Sequence, residues 1–255
     1  MSAHRRLLIV LGITLLILLV TGAGAFVVLN GRNQARPEAV AALESDAQVT
    51  VSQVAGQDWY VFSPAAGTAI TGLILYPGGF VDPVAYAPIA REIAAHGYLV
   101  VLDPMPLNLA VTGINSADAI IAAFPEIAHW AVGGHSLGGA MAAEYVKSNP
   151  ETVDGLALWA AYPAENTDLS SLPLAVVSSY GDADGLASVA DVTGAAERLP
   201  ADARFVLIHG GNHTQFGAYG QGLQRGDNPA TISRAAQQAA VVAGTLELLE
   251  IIGSN

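Results

Sequence analysis

The chain contains no cysteine. That absence excludes disulfides, thiol nucleophiles and cysteine-held metal sites, and it is compatible with either side of a membrane. Basic residues are also scarce, with 10 Lys and Arg against 22 Asp and Glu and a formal net charge of −12. Nucleic acid demands a dense Lys/Arg surface to neutralise its phosphates, so it is not expected as a partner, and neither is a strongly anionic substrate. None of the six histidines forms an i, i+4 pair around a glutamate. A zinc-protease helix is thereby ruled out, and neither a metal nor another cofactor is expected.

What is present begins with an apolar N-terminus. Residues 7–29 form an almost unbroken apolar run of 23, with Arg5 and Arg6 before it and Arg32 and Arg36 after it. About 20 such residues cross a bilayer as a helix. Residues 1–30 are therefore expected to be a signal anchor with one transmembrane helix, residues 31–47 a polar juxtamembrane linker, and residues 48–255 the folded domain. Ala23-Gly24-Ala25 resembles an A-x-A peptidase site, which leaves cleavage and secretion as the alternative, although the run exceeds the roughly 7–15 apolar residues of a signal peptide. The flanking arginines balance, so charge does not set the orientation. The short basic tail favours a signal anchor with the domain outside the cytoplasm.

Past residue 48, runs rich in Val, Ile and Leu alternate with helical stretches. Strands are expected at 49–54, 59–62, 72–76, 99–102, 130–133, 156–160, 174–179 and 205–208, and helices at 87–96, 116–124, 137–148, 187–199 and 232–252, with a short one at 37–43. This alternation implies an α/β domain with a mostly parallel central sheet and helices on both faces. Ligands in such sheets bind at the carboxyl ends of the strands. Only about a dozen residues separate the strand ending near Ala161 from the next, near Leu174, too few for a large cap domain over the site.

Within this pattern, Gly134-His135-Ser136-Leu137-Gly138-Gly139 follows the apolar pair Ala131-Val132 and precedes a good helix former that ends at Asn149-Pro150. A G-x-S-x-G sequence between strand and helix reads as a nucleophile elbow: a sharp turn exposes the serine Oγ at the sheet edge, and the glycines let the two backbones pass closely. Chance could supply the pattern in a chain with 27 glycines. An Asp after a later strand and a His after the last strand make chance a poor explanation, because they complete the order Ser, Asp, His.

On these residues the chain from about Val49 onward resembles the α/β-hydrolase fold, and among its branches the compact dienelactone-hydrolase-like serine hydrolases and esterases. Dienelactone hydrolases proper use a cysteine where this chain has Ser136, so the resemblance carries over fold and triad logic only. It implies Ser136 as nucleophile and a histidine base beyond the last strand. Of the two candidates, His213 lies in a loop able to reach over the sheet edge, whereas His209 ends the strand and is expected to be packed. His135 is expected to pack beside the nucleophile, and His4, His96 and His129 to lie at the surface. The resemblance places the acid in a G-x-x-D pattern, at Asp184 of Tyr180-Gly181-Asp182-Ala183-Asp184, with Asp182 as the alternative acid.

For the oxyanion hole, Leu137 N–H follows the nucleophile. A second donor is expected from Gly79 or Phe80, because Tyr76-Pro77-Gly78-Gly79-Phe80 is similar to the His-Gly-Gly loop of esterases with Pro in place of His. Phe216 and Tyr219, in the glycine-rich segment after the base, are expected either to line the substrate pocket or to form only a connection. The function expected is a membrane-anchored serine hydrolase acting on a small-molecule carboxylic ester, less readily a thioester or amide, through an acyl-enzyme. Two alternatives stand beside it: an acyltransferase or perhydrolase with the same triad, and a non-catalytic surface binding module on a hydrolase scaffold.

Overall fold

The protein is described from a computed structural model that covers residues 14, 21, 24, 28 and 31–254. The transmembrane helix expected over residues 7–29 therefore lies almost wholly outside the described residues. Eight strands form one sheet: β1 (Val49–Gln53), β2 (Tyr60–Pro64), β3 (Thr71–Tyr76), β4 (Leu99–Leu102), β5 (His129–His135), β6 (Gly155–Trp159), β7 (Ala175–Gly181) and β8 (Arg204–Ile208). Their order is β1-β2-β4-β3-β5-β6-β7-β8. The pairs β1–β2 and β2–β4 are antiparallel, and every later pairing is parallel.

β3 shows why the sheet is buried on both sides. All six of its residues are buried, and its side chains alternate between two cores. Leu73 and Leu75 join Val100, Leu102 and Ala131 on one face, while Ile74 and Tyr76 join Val101, Trp130 and Val132 on the other. Helices α2 (Ala87–Ala95) and α6 (Arg234–Gly253) cover the first face through Ile89, Ile93, Leu248 and Leu249. Helices α3 (Ser116–Ala123) and α4 (Leu137–Ser148) cover the second through Ala117, Ile120, Ala142 and Val146. Among the described residues, α6 is the one helix long and apolar enough to cross a membrane. Its buried stripe against β3, β5, β6 and β7 makes it a core helix of this domain.

Two expectations are corrected here. The helix expected over 187–199 is shorter: the Ser188 side chain accepts from Asp191 N–H in a capping box, so α5 (Val189–Gly194) begins only after it, and a 3₁₀ turn at Ala196–Arg198 follows Gly194. The stretch expected as a linker is packed onto the domain. Helix α1 (Pro37–Ala41) buries Ala39, and residues 33–36 are tied by backbone hydrogen bonds to two loops at the carboxyl edge of the sheet.

β6 and β7 are joined by residues 160–174, which carry no helix. Without an insertion there, the edge that bears the expected site has no cap domain at this position.

Candidate active site

β5 ends at His135 and α4 begins at Leu137, so Ser136 alone makes the turn. It holds φ 53° and ψ −121°, a conformation that an L-residue adopts only when its surroundings enforce it. Ser136 N–H donates to Trp159 O at 2.9 Å, which pins the turn to β6. The flanking glycines are required by space: a Cβ on Gly134 would lie 2.4 Å from Tyr76 O, and one on Gly138 2.2 Å from the same atom. Strand, turn and helix thus pass against the end of β3 with no room for a methyl group.

All five non-glycine residues with positive φ among the described residues follow the carboxyl ends of strands: Phe80, Leu107, Asn108, Ser136 and Ala160. Strain of this kind costs on the order of 1–3 kcal/mol per residue and clusters where function holds the backbone in place.

The structure pairs each candidate acid with a different histidine. Asp184 Oδ2 accepts from His213 Nδ1 at 2.8 Å, and both side chains are almost fully buried. Its other oxygen accepts Leu186 N–H and Ala187 N–H, each at 2.7 Å, so the carboxylate is fixed on both sides. Asp182 instead meets His209 at 2.9 Å and the N–H of Gly210 at 2.6 Å. That pair is at the surface, since 82 % of the His209 side chain is exposed. The expectation that His209 packs inside is therefore corrected. The hydrogen bond from His209, joined by that of Gly210 N–H, holds the Asp182 carboxyl below the usual range. With Nδ1 held by Asp184, His213 Nε2 is buried and lacks a hydrogen-bond partner. Ser136 and His213 line one cavity of about 410 Å³, walled largely by apolar groups including Leu137, Ala140, Ala161, Tyr162 and Leu186. A cavity of about 390 Å³ between α2 and α6 shares none of these residues.

The two second-donor candidates separate cleanly. Phe80 N–H is already committed to Asn108 O at 2.7 Å, which removes it from the oxyanion hole. Gly79 lies against Leu137, the residue expected to supply the other donor: a Cβ on Gly79 would stand 3.3 Å from Leu137 Cδ2. Leu137 is the first residue of α4, where a helix leaves its N–H groups without intrahelical acceptors.

Phe216 and Tyr219 are not on the cavity wall, contrary to the pocket-lining expectation. They are 0 % and 1 % exposed and support the histidines from below. The Phe216 ring stacks on His135 at 5.5 Å, and Tyr219 lies tilted at 6.4 Å. His135 in turn lies 4.5 Å from the His213 ring, between these aromatics and the base. Tyr86 Oη accepts Gly78 N–H at 3.0 Å and is hydrogen-bonded to His135 Nδ1 at 2.9 Å. His135 itself is buried, and its Nε2 has no hydrogen-bond partner. Burial, and then the neighbouring His213, push its pKa well below 6.5, against a smaller opposing influence of the His213 backbone.

Several buttresses escaped sequence reasoning. Asp227 accepts the N–H groups of His213 (3.2 Å) and Gly185 (3.1 Å) on one oxygen, and the N–H and hydroxyl of Thr214 (2.8 and 2.6 Å) on the other. It therefore ties the base loop to the acid loop. Gln237 of α6 exchanges two hydrogen bonds with the Asn212 backbone, at 3.0 and 2.7 Å. No local signal marks these residues, since their partners lie 13 to 42 positions away.

A parallel sheet of this order, with an elbow serine, an acid after β7 and a histidine after β8, defines a hydrolase of the α/β type. The chain matches the Alpha/beta hydrolase family over residues 72–239, and it belongs to that family. A search of curated proteins found no match.

Proposed function

We propose that the protein is a serine hydrolase of carboxylic esters, working through an acyl-enzyme and held at a membrane by residues 7–29 with its domain outside the cytoplasm. One observation carries the reading: His213 Nε2 is buried and unpartnered on the same cavity as Ser136, while Asp184 holds Nδ1. His213 would take the Ser136 hydroxyl proton as Oγ attacks the ester carbonyl, and Asp184 would stabilise the imidazolium without becoming protonated. Leu137 N–H and Gly79 N–H would meet the oxyanion, each such donor contributing about 2.7–4 kcal/mol in comparable sites. Collapse expels the alcohol with the proton from His213, and water repeats the sequence to release the acid.

A fluorophosphonate probe should label Ser136 in the full chain and nothing in Ser136→Ala, and that variant should lose hydrolysis of short activated esters while remaining folded. Retained turnover would remove Ser136 from the mechanism. For the anchor, the full chain should stay with membranes through carbonate extraction, because some 20 apolar residues bind far more tightly than surface charge. A mature chain that begins at Phe26 and is freely released would show cleavage instead.

A further inference from the structure

The segment that follows the apolar run does not hang free. Asn33 O accepts Asp82 N–H at 3.1 Å, and Ala35 N–H donates to Asp82 Oδ2 at 3.3 Å. Gln34 O accepts Gly220 N–H at 3.0 Å, Ala35 bridges Tyr219, and Arg36 N–H donates to Ala218 O at 2.9 Å. Residues 33–36 are thus strapped across the loop after β3, which supplies Gly79, and the loop after β8, which supplies His213. Tyr219 continues the connection, donating from Oη to Gln224 Oε1 at 2.9 Å, and Gln224 lines the cavity that holds Ser136. Three residues, and so four Cα-to-Cα steps, separate Leu29, the last of the apolar run, from Asn33. They span at most about 14 Å when fully extended.

The same edge of the sheet carries apolar side chains that the core does not use. Leu107, Val111, Leu186 and Leu223 are 58 %, 54 %, 39 % and 50 % exposed. They follow the carboxyl ends of β4, β7 and β8, and Leu186 forms part of the cavity wall. Leu107 is held at φ 60°, so the backbone is strained where it presents this leucine to solvent. The loop bearing it is locked to the oxyanion loop through the bond from Phe80 N–H to Asn108 O.

We infer that the mouth of the active site rests on the bilayer entered by residues 7–29, with Leu107, Val111 and Leu223 in the headgroup–acyl boundary, and that the substrate is an acyl ester dissolved in that bilayer. The inference rests on the proposed ester hydrolysis and anchor. The short strap holds this edge of the domain within about 14 Å of the end of the apolar run. An apolar rim beside the nucleophile lets an acyl chain leave the lipid without crossing water. The net charge of −12 makes apolar contact, and not attraction to anionic lipid, the source of this docking.

Because the chain has no cysteine, Leu107→Cys and Leu223→Cys each create a single labelling site, and Ile70→Cys, at the opposite edge of the sheet, is the control. Full-length protein is reconstituted in phosphatidylcholine vesicles and labelled with an environment-sensitive dye. Blue-shifted emission at positions 107 and 223, quenched by doxyl-labelled lipid, with aqueous emission at position 70, is the expected result. Aqueous emission at all three positions overturns the inference. So does a blue shift that lipid quenchers do not reach, which would place a second copy of the chain there. In the same vesicles, Leu107→Ser combined with Leu223→Ser should cut hydrolysis of an embedded long-chain ester by about tenfold or more, and leave a water-soluble acetate ester within about twofold. Equal loss on both esters, or on neither, overturns the inference while leaving the ester hydrolase intact. Failure of the unsubstituted protein on both esters, with Ser136 unlabelled by fluorophosphonate, overturns the hydrolase reading itself.

Discussion

Replacing Asp103 by Asn should stabilise the protein at neutral pH, and by an amount set by one buried carboxyl outside the triad. Asp103 directly follows β4 and is 3 % exposed. The Ser116 hydroxyl donates to it, and Asp103 N–H is bonded to Leu75 O. Burial pushes its pKa from 3.8 up to about 6, with the hydrogen bonds from Ser116 and Trp59 opposing the rise. Between these two values the folded state holds a proton that the unfolded state has released. Stability therefore falls as pH rises from about 4 to about 6, and the loss is complete above that window. The difference between the two values corresponds to about 3 kcal/mol. An isosteric amide cannot ionise and retains an acceptor for Ser116. The variant should gain about 3 kcal/mol over wild type at pH 7.5 and little at pH 4, a shift in Tm of roughly 6–12 °C for a chain of this size. The assay is denaturant unfolding of both proteins across pH 4–8, read as the difference between them. The difference is needed because His135, whose pKa is lowered by burial, makes wild-type stability fall as pH drops below 6.5. A difference that does not change with pH, or a variant less stable at pH 7.5, would refute the argument.

The two carboxylates after β7 should respond very differently to amide substitution. Asp184→Asn should lower kcat by about 10⁴, through loss of the correct His213 tautomer, whereas Asp182→Asn, with its surface partner His209, should stay within about threefold; the reverse ranking would reassign the acid. Phe216→Ala removes a fully buried ring stacked on His135 and should cost about 3–5 kcal/mol in denaturant unfolding. A loss under 1 kcal/mol would show that the ring does not support the site as described. Asp227→Asn weakens the tie between the His213 and Gly185 backbones, so kcat should fall by about tenfold with the fold retained; unchanged kcat would make this tie dispensable.

Order in the sequence settled what depends on neighbours along the chain. All eight strands were legible, the central ones because residues buried on both faces of a sheet form apolar runs, as in β4 and β6. The elbow was legible for a similar reason, since the steric demand at Gly134, Ser136 and Gly138 falls within five consecutive positions. Tertiary structure alone decided matters that turn on who meets whom. The G-x-x-D resemblance favoured Asp184 over Asp182, two residues away, but that one meets a buried histidine and the other a surface one was decided only by the fold. Phe80 and Gly79 were equivalent donors until the loop after β4 claimed the Phe80 N–H. Phe216 and Tyr219 were left open between pocket lining and mere connection, because aromatics in a loop near a histidine suit either role, and only their packing against His135 shows where they lie. Asp227, Gln237 and Tyr86 left no trace, because a hydrogen bond between distant residues imposes no periodicity on the chain. Local sterics and burial write a pattern into adjacent residues, whereas long-range polar pairing exists only once the backbone has brought its partners together.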